Sequence, residues 1–191
     1  MNNQYELSCV TKEYLSCYYE ILDCMIESMT KQKLSCSVSQ NFIAQMIPHH
    51  EAAIKMCENL LRFTTCVPLQ NIANCIIAEQ TEGIEEMKEI LSKCEKCQNS
   101  EHDLCLYRRR NEQICRTMFD AMGCAYSGNN LNSNFIREMI PHHEGAIRMA
   151  KNALCFCICP ELKSVLCSII SSQTRGIEEM RRLLPKTGCG C

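Results

Sequence analysis

The chain has 191 residues, 18 cysteines and a formal net charge of -2 at pH 7. The balanced charge argues against a nucleic-acid-binding protein, and the only basic run, residues 108–110, is expected to be a solvated helix face. No apolar stretch is long enough to predict a membrane span, and the first residues lack the pattern of a signal peptide. We therefore expect a cytoplasmic protein, whose reduced cysteines are metal ligands or buried apolar side chains rather than a disulfide framework.

Apolar residues at three- and four-residue spacing predict an all-α fold of about six helices. Pro68 and Pro160 suit the first turn of the third and sixth helices, with Cys159 as an N-cap residue. On the first helix, Cys17 and Cys24 are seven residues apart on the apolar stripe, so their thiols are expected to point inward. The predicted helices span residues 5–30, 40–63, 68–92, 101–122, 132–154 and 160–184.

The sequence repeats itself at a constant, ungapped offset of 93 residues. Cys66 matches Cys159 at this offset, and the segment from Gln80 to Met87 matches the segment from Gln173 to Met180. Such an offset indicates a tandem duplication packed with approximate twofold symmetry. We predict one domain of two repeats, 5–93 and 98–185, followed by a flexible Cys-x-Cys tail at 186–191.

The duplicated segment Met-Ile-Pro-His-His contains four of the five histidines, His49, His50, His142 and His143. On the second helix these imidazoles share a face with Met46 and Cys57, and on the fifth helix with Met139. Imidazole and thioether ligands suit Cu(I) best and Zn(II) next.

A proline precedes each histidine pair and is expected to bend its helix, which frees the carbonyl of Ala44 or Arg137 to orient an imidazole. The alternative is that the histidines pack against neighbouring helices as a polar joint. In that case Gln80 and Gln173, which are polar residues on apolar faces, are their expected hydrogen-bond partners.

The cysteines are a second source of ligands. A Cys-x-Cys pair offers two thiolates to one ion of low coordination number, as Cu(I) prefers. A Cys-x-x-Cys pair can bind Cu(I) or Zn(II), but a zinc site usually needs a second such pair. The candidate metal ligands are His49, His50, His142, His143, Met46, Met139, Cys57, Cys17, Cys24, Cys66, Cys75, Cys94, Cys97, Cys155, Cys157, Cys159, Cys167, Cys189 and Cys191.

The segments Phe42–Met56 and Phe135–Met149, together with the glutamine segments that follow them, resemble the domain-of-unknown-function 305 family. The resemblance implies a ferritin-like four-helix bundle built from two repeats of two helices, with helices 5–30 and 101–122 as flanking additions. Some members of the family are associated with copper handling.

The chain departs from this family in ways that argue against hard-metal chemistry. Gly83 and Gly176 stand where many members carry glutamate. The Glu-x-x-His ligands of ferritin-like di-iron enzymes are missing from the sequence. In its many cysteines the chain is similar to cytosolic copper storage proteins, which line a four-helix bundle with thiols. The sequences of those proteins do not match this one.

The sequence thus predicts a non-enzymatic protein that sequesters or stores Cu(I) through Cys, Met and His on helix interiors, with Zn(II) as the alternative ion. A second hypothesis is a structural protein whose cysteines cross-link it into an assembly such as a spore or envelope layer. A redox enzyme is the third hypothesis, and the missing carboxylates argue against it. We expect the protein to bind metal ions and to bind neither nucleic acid nor a membrane. The sequence leaves open whether the protein forms a homo-oligomer.

Overall fold

The structure, a computed structural model, describes residues 6–184, without the side chains of residues 95 and 96. These residues form six α-helices and a single-turn 3-10 helix, Lys93–Lys96. The prediction of an all-α fold of six helices is confirmed. The predicted tail, with Cys189 and Cys191, lies outside the described residues. The helices are α1 Cys9–Thr30, α2 Val38–Leu61, α3 Val67–Leu91, α4 Glu101–Gly123, α5 Leu131–Ala153 and α6 Pro160–Leu183.

Side-chain caps set where four of the helices begin. Ser8 Oγ accepts the backbone N–H of Thr11 at 3.1 Å, so α1 begins at Cys9 and not at residue 5 as predicted. Ser37, Ser100 and Asn130 cap α2, α4 and α5 in the same way.

The other two helices, α3 and α6, begin without a side-chain cap. Each has a proline in its first turn, at Pro68 and Pro160, as the sequence predicts. Cys159 is the N-cap residue of α6, also as predicted, and Cys66 takes the same position in α3, which the sequence analysis did not predict.

Four helices form the central bundle. Helix α2 packs on α3 and α5 packs on α6, while α2 contacts α5 and α3 contacts α6, which closes the ring. Helix α1 lies against α2, helix α4 lies against α5, and α1 and α4 also touch. The prediction of a four-helix bundle with two flanking helices is therefore confirmed.

Buried asparagines attach the flanking helices to the bundle. Asn59 on α2 donates from Nδ2 to the carbonyl of Tyr14 on α1 at 3.0 Å. Asn152 on α5 donates to the carbonyl of Tyr107 on α4 at 3.3 Å. The two contacts are separated by the same 93 residues that relate the two segments in the sequence.

The inward placement predicted for Cys24 is wrong. The buried face of α1 consists of Tyr14, Tyr18, Ile21, Met25 and Met29, with Leu15 and Leu22 beside them. Cys24 precedes Met25 by one residue, which turns it about 100° away from that face. Cys24 is exposed and Cys17 is half-buried at the edge. Among the described helices, none is both long and apolar enough to cross a membrane.

The asparagine contacts can be tested by substitution. Asn59→Ala leaves the buried carbonyl of Tyr14 without its partner, so we expect the free energy of unfolding to fall by about 1–3 kcal/mol in urea titrations. Asn71→Ala, on the exposed surface of α3, is the matched control and should change it by less than about 0.5 kcal/mol. Equal losses in both variants would show that the contact contributes nothing specific.

Candidate metal centre

The four histidines of the repeated motif meet at the contact between α2 and α5. The rings of His49 and His142 are stacked, with centroids 3.7 Å apart and planes 31° apart. His50 and His143 lie on either side of this pair. The ring centroid of His50 is 6.0 Å from that of His49, and the ring centroid of His143 is 5.9 Å from that of His142. All four are at most 2% exposed. The structure therefore brings both predicted histidine pairs into one buried cluster, which we call the histidine core.

Burial controls the charge of the histidine core. Removal from water lowers the pKa of His50 to about 3 and that of His142 to about 4, and it lowers the pKa of His49 and His143 well below the ordinary value. Repulsion from neighbouring imidazoles adds to the lowering at His49, His50 and His143. At neutral pH the four rings are neutral, the form in which imidazole binds a metal.

Most of the imidazole nitrogens are without hydrogen-bond partners. His142 Nε2 lies 3.2 Å from the carbonyl oxygen of His49. Neither nitrogen of His49 makes a hydrogen bond of good geometry, although its ring interacts with the backbone of His142. The Nδ1 atoms of His50, His142 and His143 have no partner. A buried polar atom without a partner costs free energy, so these nitrogens are the best candidates in the histidine core for binding an ion. Each neutral ring has one lone-pair nitrogen, so each histidine can supply one of them.

Two predictions about the surroundings of the histidines are wrong. The carbonyl that contacts an imidazole belongs to His49, not to Ala44 or Arg137. Helix α2 continues through Pro48, as α5 does through Pro141. The side chain of Gln173 makes no hydrogen bond, and Oε1 of Gln80 also has no partner, so the expected His–Gln joint is not formed.

Two glycines make room for the outer histidines. A Cβ at Gly83 would lie 3.2 Å from Nε2 of His50, and a Cβ at Gly176 would lie 3.1 Å from Nε2 of His143. Any larger residue would press on the imidazole edge. These glycines, one in each repeat, therefore allow α3 and α6 to approach the histidine core closely.

A polar cleft between α3 and α6 leads from the surface to His50. Its volume is about 300 Å³. Glu79, Glu82 and Glu86 line it, opposed by one cation, Arg175, which pairs with Glu79. The excess of carboxylates favours cations in the cleft.

The methionines and cysteines of the candidate set are divided between the interior and the surface. Met46 and Met139 are fully buried on the faces that carry the histidines. Cys57, Cys66, Cys94 and Cys159 are buried, and Cys17 and Cys97 are half-buried. The exposed members are Cys24, Cys75, Cys155, Cys157 and Cys167.

The candidate ligands do not form a preorganised metal site with three or more ligands. Within the described part of the chain, no three side chains of His, Cys, Asp or Glu are arranged to hold one ion. The thiols of Cys94 and Cys97, however, both interact electrostatically with that of Cys159, although these residues belong to different connecting segments. The sequence reasoning considered the two loops separately and did not predict this contact.

The sequence analysis also missed a buried carboxyl group. Tyr14 Oη donates to Oε2 of Glu138 at 2.5 Å, and the other oxygen of Glu138 has no partner. Burial raises the pKa of Glu138 to about 7. The sequence did contain a signal for this group, because Glu138 precedes His142 by four residues and so lies on the same face of the helix. The signal was weak because Gln45, which is not a carboxyl group, occupies the equivalent position in the first repeat.

The family model described as "Domain of unknown function (DUF305)" matches residues 39–184. The chain belongs to this family. The match spans all four helices of the bundle and both histidine pairs, which confirms the resemblance found in the sequence.

Solved structures agree with this assignment. CopM in the Cu(II)-bound form is 30% identical, with a TM-score of 0.57, over 78% of this chain and 96% of that chain. CopM in the Ag-bound form, obtained by soaking, is 30% identical, with a TM-score of 0.56, over 78% of this chain and 95% of that chain. A DUF305 fragment from Deinococcus radiodurans shares the fold at 21% identity and a TM-score of 0.57, over 78% of this chain and 96% of the fragment. A comparison with proteins of curated function gave no match.

The buried histidines predict a pH dependence of stability. The folded protein keeps them neutral, whereas the unfolded chain takes up protons below pH about 6.5, so stability is complete above that pH and is lost as the pH falls. Each histidine should account for a loss of about 2 kcal/mol at pH 5. Glu138, with its raised pKa, acts in the opposite direction and offsets about one histidine.

Urea unfolding of the metal-free protein at pH 7 and pH 5 measures this loss. His143→Gln should reduce the loss between the two pH values by about 2 kcal/mol. His102→Gln, which removes the exposed imidazole of α4, is the control for the substitution itself. The same loss in the wild type and in His143→Gln would contradict the assignment of a neutral, buried imidazole.

Proposed function

We propose that this protein binds soft metal ions without catalysing a reaction, and that it sequesters or stores Cu(I) in a reducing compartment. The observation that supports this most strongly is the histidine core, where five nitrogens of neutral, buried imidazoles are without partners. The thioethers of Met46 and Met139 are buried on the same helical faces. This combination of donors suits a soft, weakly hydrated ion.

The comparisons with solved structures support metal binding in general. CopM structures in the Cu(II)-bound and Ag-bound forms share the fold at 30% identity. Ag(I) is a common chemical substitute for Cu(I), since both are soft monovalent ions. The extension to Cu(I) in this chain is our proposal and depends on its own donor atoms.

The arrangement of ligands favours Cu(I) over Zn(II). Structural zinc sites use four ligands from Cys, His and carboxylates. No three such side chains are arranged around one ion in the described residues. Cu(I) accepts two or three soft donors, including thioethers, so imidazole–thioether and thiol–thiol pairs suffice for it.

The chain's own residues would act in distinct ways. His49 and His142 supply neutral nitrogens that need not lose a proton on metal binding, because burial already keeps them unprotonated. Cys57 is a buried thiol whose pKa is raised by burial, so it would lose its proton to solvent only when an ion binds the thiolate. The glutamates at the mouth of the α3–α6 cleft would concentrate cations there.

A titration of the reduced, metal-free protein with Cu(I) against a competing chelator tests the proposal. We expect at least one tightly held ion per chain. The double variant His49→Gln/His142→Gln should lose at least one of the bound ions, because both substitutions remove nitrogens of the histidine core. His102→Gln, the exposed-imidazole control, should keep them all.

Two results would overturn parts of this account. Less than one ion per chain in the wild type would contradict Cu(I) storage altogether. An unchanged ion count in the double variant, with an intact fold by circular dichroism, would contradict the role given to the histidine core.

A second candidate function has one specific observation in its favour, the number of thiols at the surface. Intermolecular disulfides between these cysteines would cross-link copies of the chain into an assembly. Thiol counting in freshly purified protein separates the two functions, since an assembly should contain many intermolecular disulfides. The exposed cysteines of the described residues are Cys9, Cys24, Cys36, Cys75, Cys105, Cys124, Cys155, Cys157 and Cys167.

A further inference from the structure

Two loops that are distant in sequence are joined at one end of the bundle. The segment after α3 carries Cys94 and Cys97, and the segment before α6 carries Cys157 and Cys159. Asn99 connects them, since its Nδ2 donates to the carbonyl of Cys157 at 2.8 Å. We call this region the thiol junction, defined by Cys94, Cys97, Cys157 and Cys159.

The thiol junction is also fixed to the start of α2. The Oδ1 atom of Asn99 accepts the backbone N–H of Val38 at 2.9 Å. The Oγ atom of Ser39 accepts the backbone N–H of Cys159 at 2.9 Å. Because backbone and side-chain bonds fix both loops, the positions of the cysteines are built into the fold.

The thiols of the junction meet at Cys159. Ser37 Oγ donates to the carbonyl of Cys94 at 3.5 Å and Ser39 Oγ accepts the N–H of Cys159, so both cysteines lie at the start of α2. There Cys94 and Cys97 lie close enough to the Cys159 thiol to interact with it electrostatically. Their exposure is graded, because Cys94 is 0% and Cys159 is 1% exposed, whereas Cys97 is half-buried and Cys157 is exposed. The group therefore extends from the surface to the interior.

The surroundings of the junction disfavour more than one negative charge unless a cation is present. Burial and the neighbouring thiols raise the pKa of Cys94 to about 12, and burial and Cys159 raise the pKa of Cys97. Cys159 Sγ donates to Oε2 of Glu161 at 2.8 Å, which adds a carboxylate to the same place. A bound metal ion reverses this balance, since coordination stabilises the thiolates.

We propose that Cys94, Cys97 and Cys159 form a distinct Cu(I) site at the thiol junction, held by Cys94 and Cys159 and loaded through Cys97. This inference deepens the proposed function and rests on it. Two thiolates suffice for Cu(I), so the site does not need the three-ligand arrangement that is missing from the described residues.

The loading step is a ligand exchange without change of oxidation state. Cu(I) passes from a thiolate carrier to the half-buried Cys97, and then to Cys159 and Cys94. Each protein thiol that binds the ion gives up its proton, each carrier thiolate that leaves takes one up, and Cys97 is reprotonated when the ion moves on. Metal bound here also joins the linker between the repeats to the N-cap of α6.

The first repeat supplies a matched control. Cys66 is the N-cap residue of α3, 93 residues before Cys159, and it is 7% exposed. Its N–H donates to Thr64 Oγ1, and among the described residues its thiol makes no hydrogen bond to another thiol. Ser is a favourable N-cap residue, so both Cys159→Ser and Cys66→Ser should fold.

The test is native mass spectrometry of the full, anaerobically reduced chain after Cu(I) loading and challenge with a competing chelator. We expect Cys159→Ser to retain one Cu(I) ion fewer than the wild type, and Cys66→Ser to retain the full number. Cys97→Ser should retain the full number but load more slowly in stopped-flow measurements from a Cu(I)–glutathione complex.

Each outcome decides one claim. Equal ion counts in Cys159→Ser and Cys66→Ser overturn the site while the proposed function stands. An unchanged loading rate in Cys97→Ser overturns the role of Cys97. A wild type that retains no Cu(I) overturns the proposed function itself, so the two failures are distinguishable.

Discussion

The structure depends on keeping four imidazoles neutral and buried at the contact between α2 and α5. The stacked pair, His49 and His142, occupies the centre of the bundle, where a residue of another shape would separate the helices. Unpartnered nitrogens at this place cost stability, and nothing else in the described chain satisfies them. A protein that maintains this cost in both repeats is well suited to a ligand that recovers it, and a soft metal ion fits the donors.

The rest of the bundle is arranged around this core. Gly83 and Gly176 allow the outer helices to approach the imidazole edges. Asn59 and Asn152 hold α1 and α4 against the helices that carry the histidines. The cleft between α3 and α6 gives the buried core a route to solvent lined with carboxylates. The thiol junction, at one end, provides donors of a different type from those in the core.

Periodicity and proline positions were enough to predict the six helices, because both depend only on local sequence, although the Ser8 cap that sets the start of α1 was not predicted. The duplicated motif also predicted that the histidine pairs are either metal ligands or a buried polar joint. The four-helix bundle implied by the family resemblance brings the two pairs together. The partners of the histidines could not be predicted in this way. Gln173 faces inward as expected, yet whether its amide reaches an imidazole depends on the distance between helices, which no spacing pattern encodes.

The same limit explains the cysteines. Cys24 lies one position from the buried stripe, where a rotation of the helix by one residue decides between the interior and solvent. The contact of Cys94 and Cys97 with Cys159 joins residues more than 60 positions apart through loops, for which the sequence has no periodic signal. The 93-residue offset pairs Cys159 with Cys66, so it relates equivalent positions and not positions in contact.

Diffraction from crystals of the Cu(I)-loaded protein, recorded at the copper absorption edge, tests the central claim most directly. The account predicts anomalous peaks beside the nitrogens of the histidine core, at the contact between α2 and α5. Copper found solely on exposed cysteines, with the imidazole nitrogens unchanged, would contradict it.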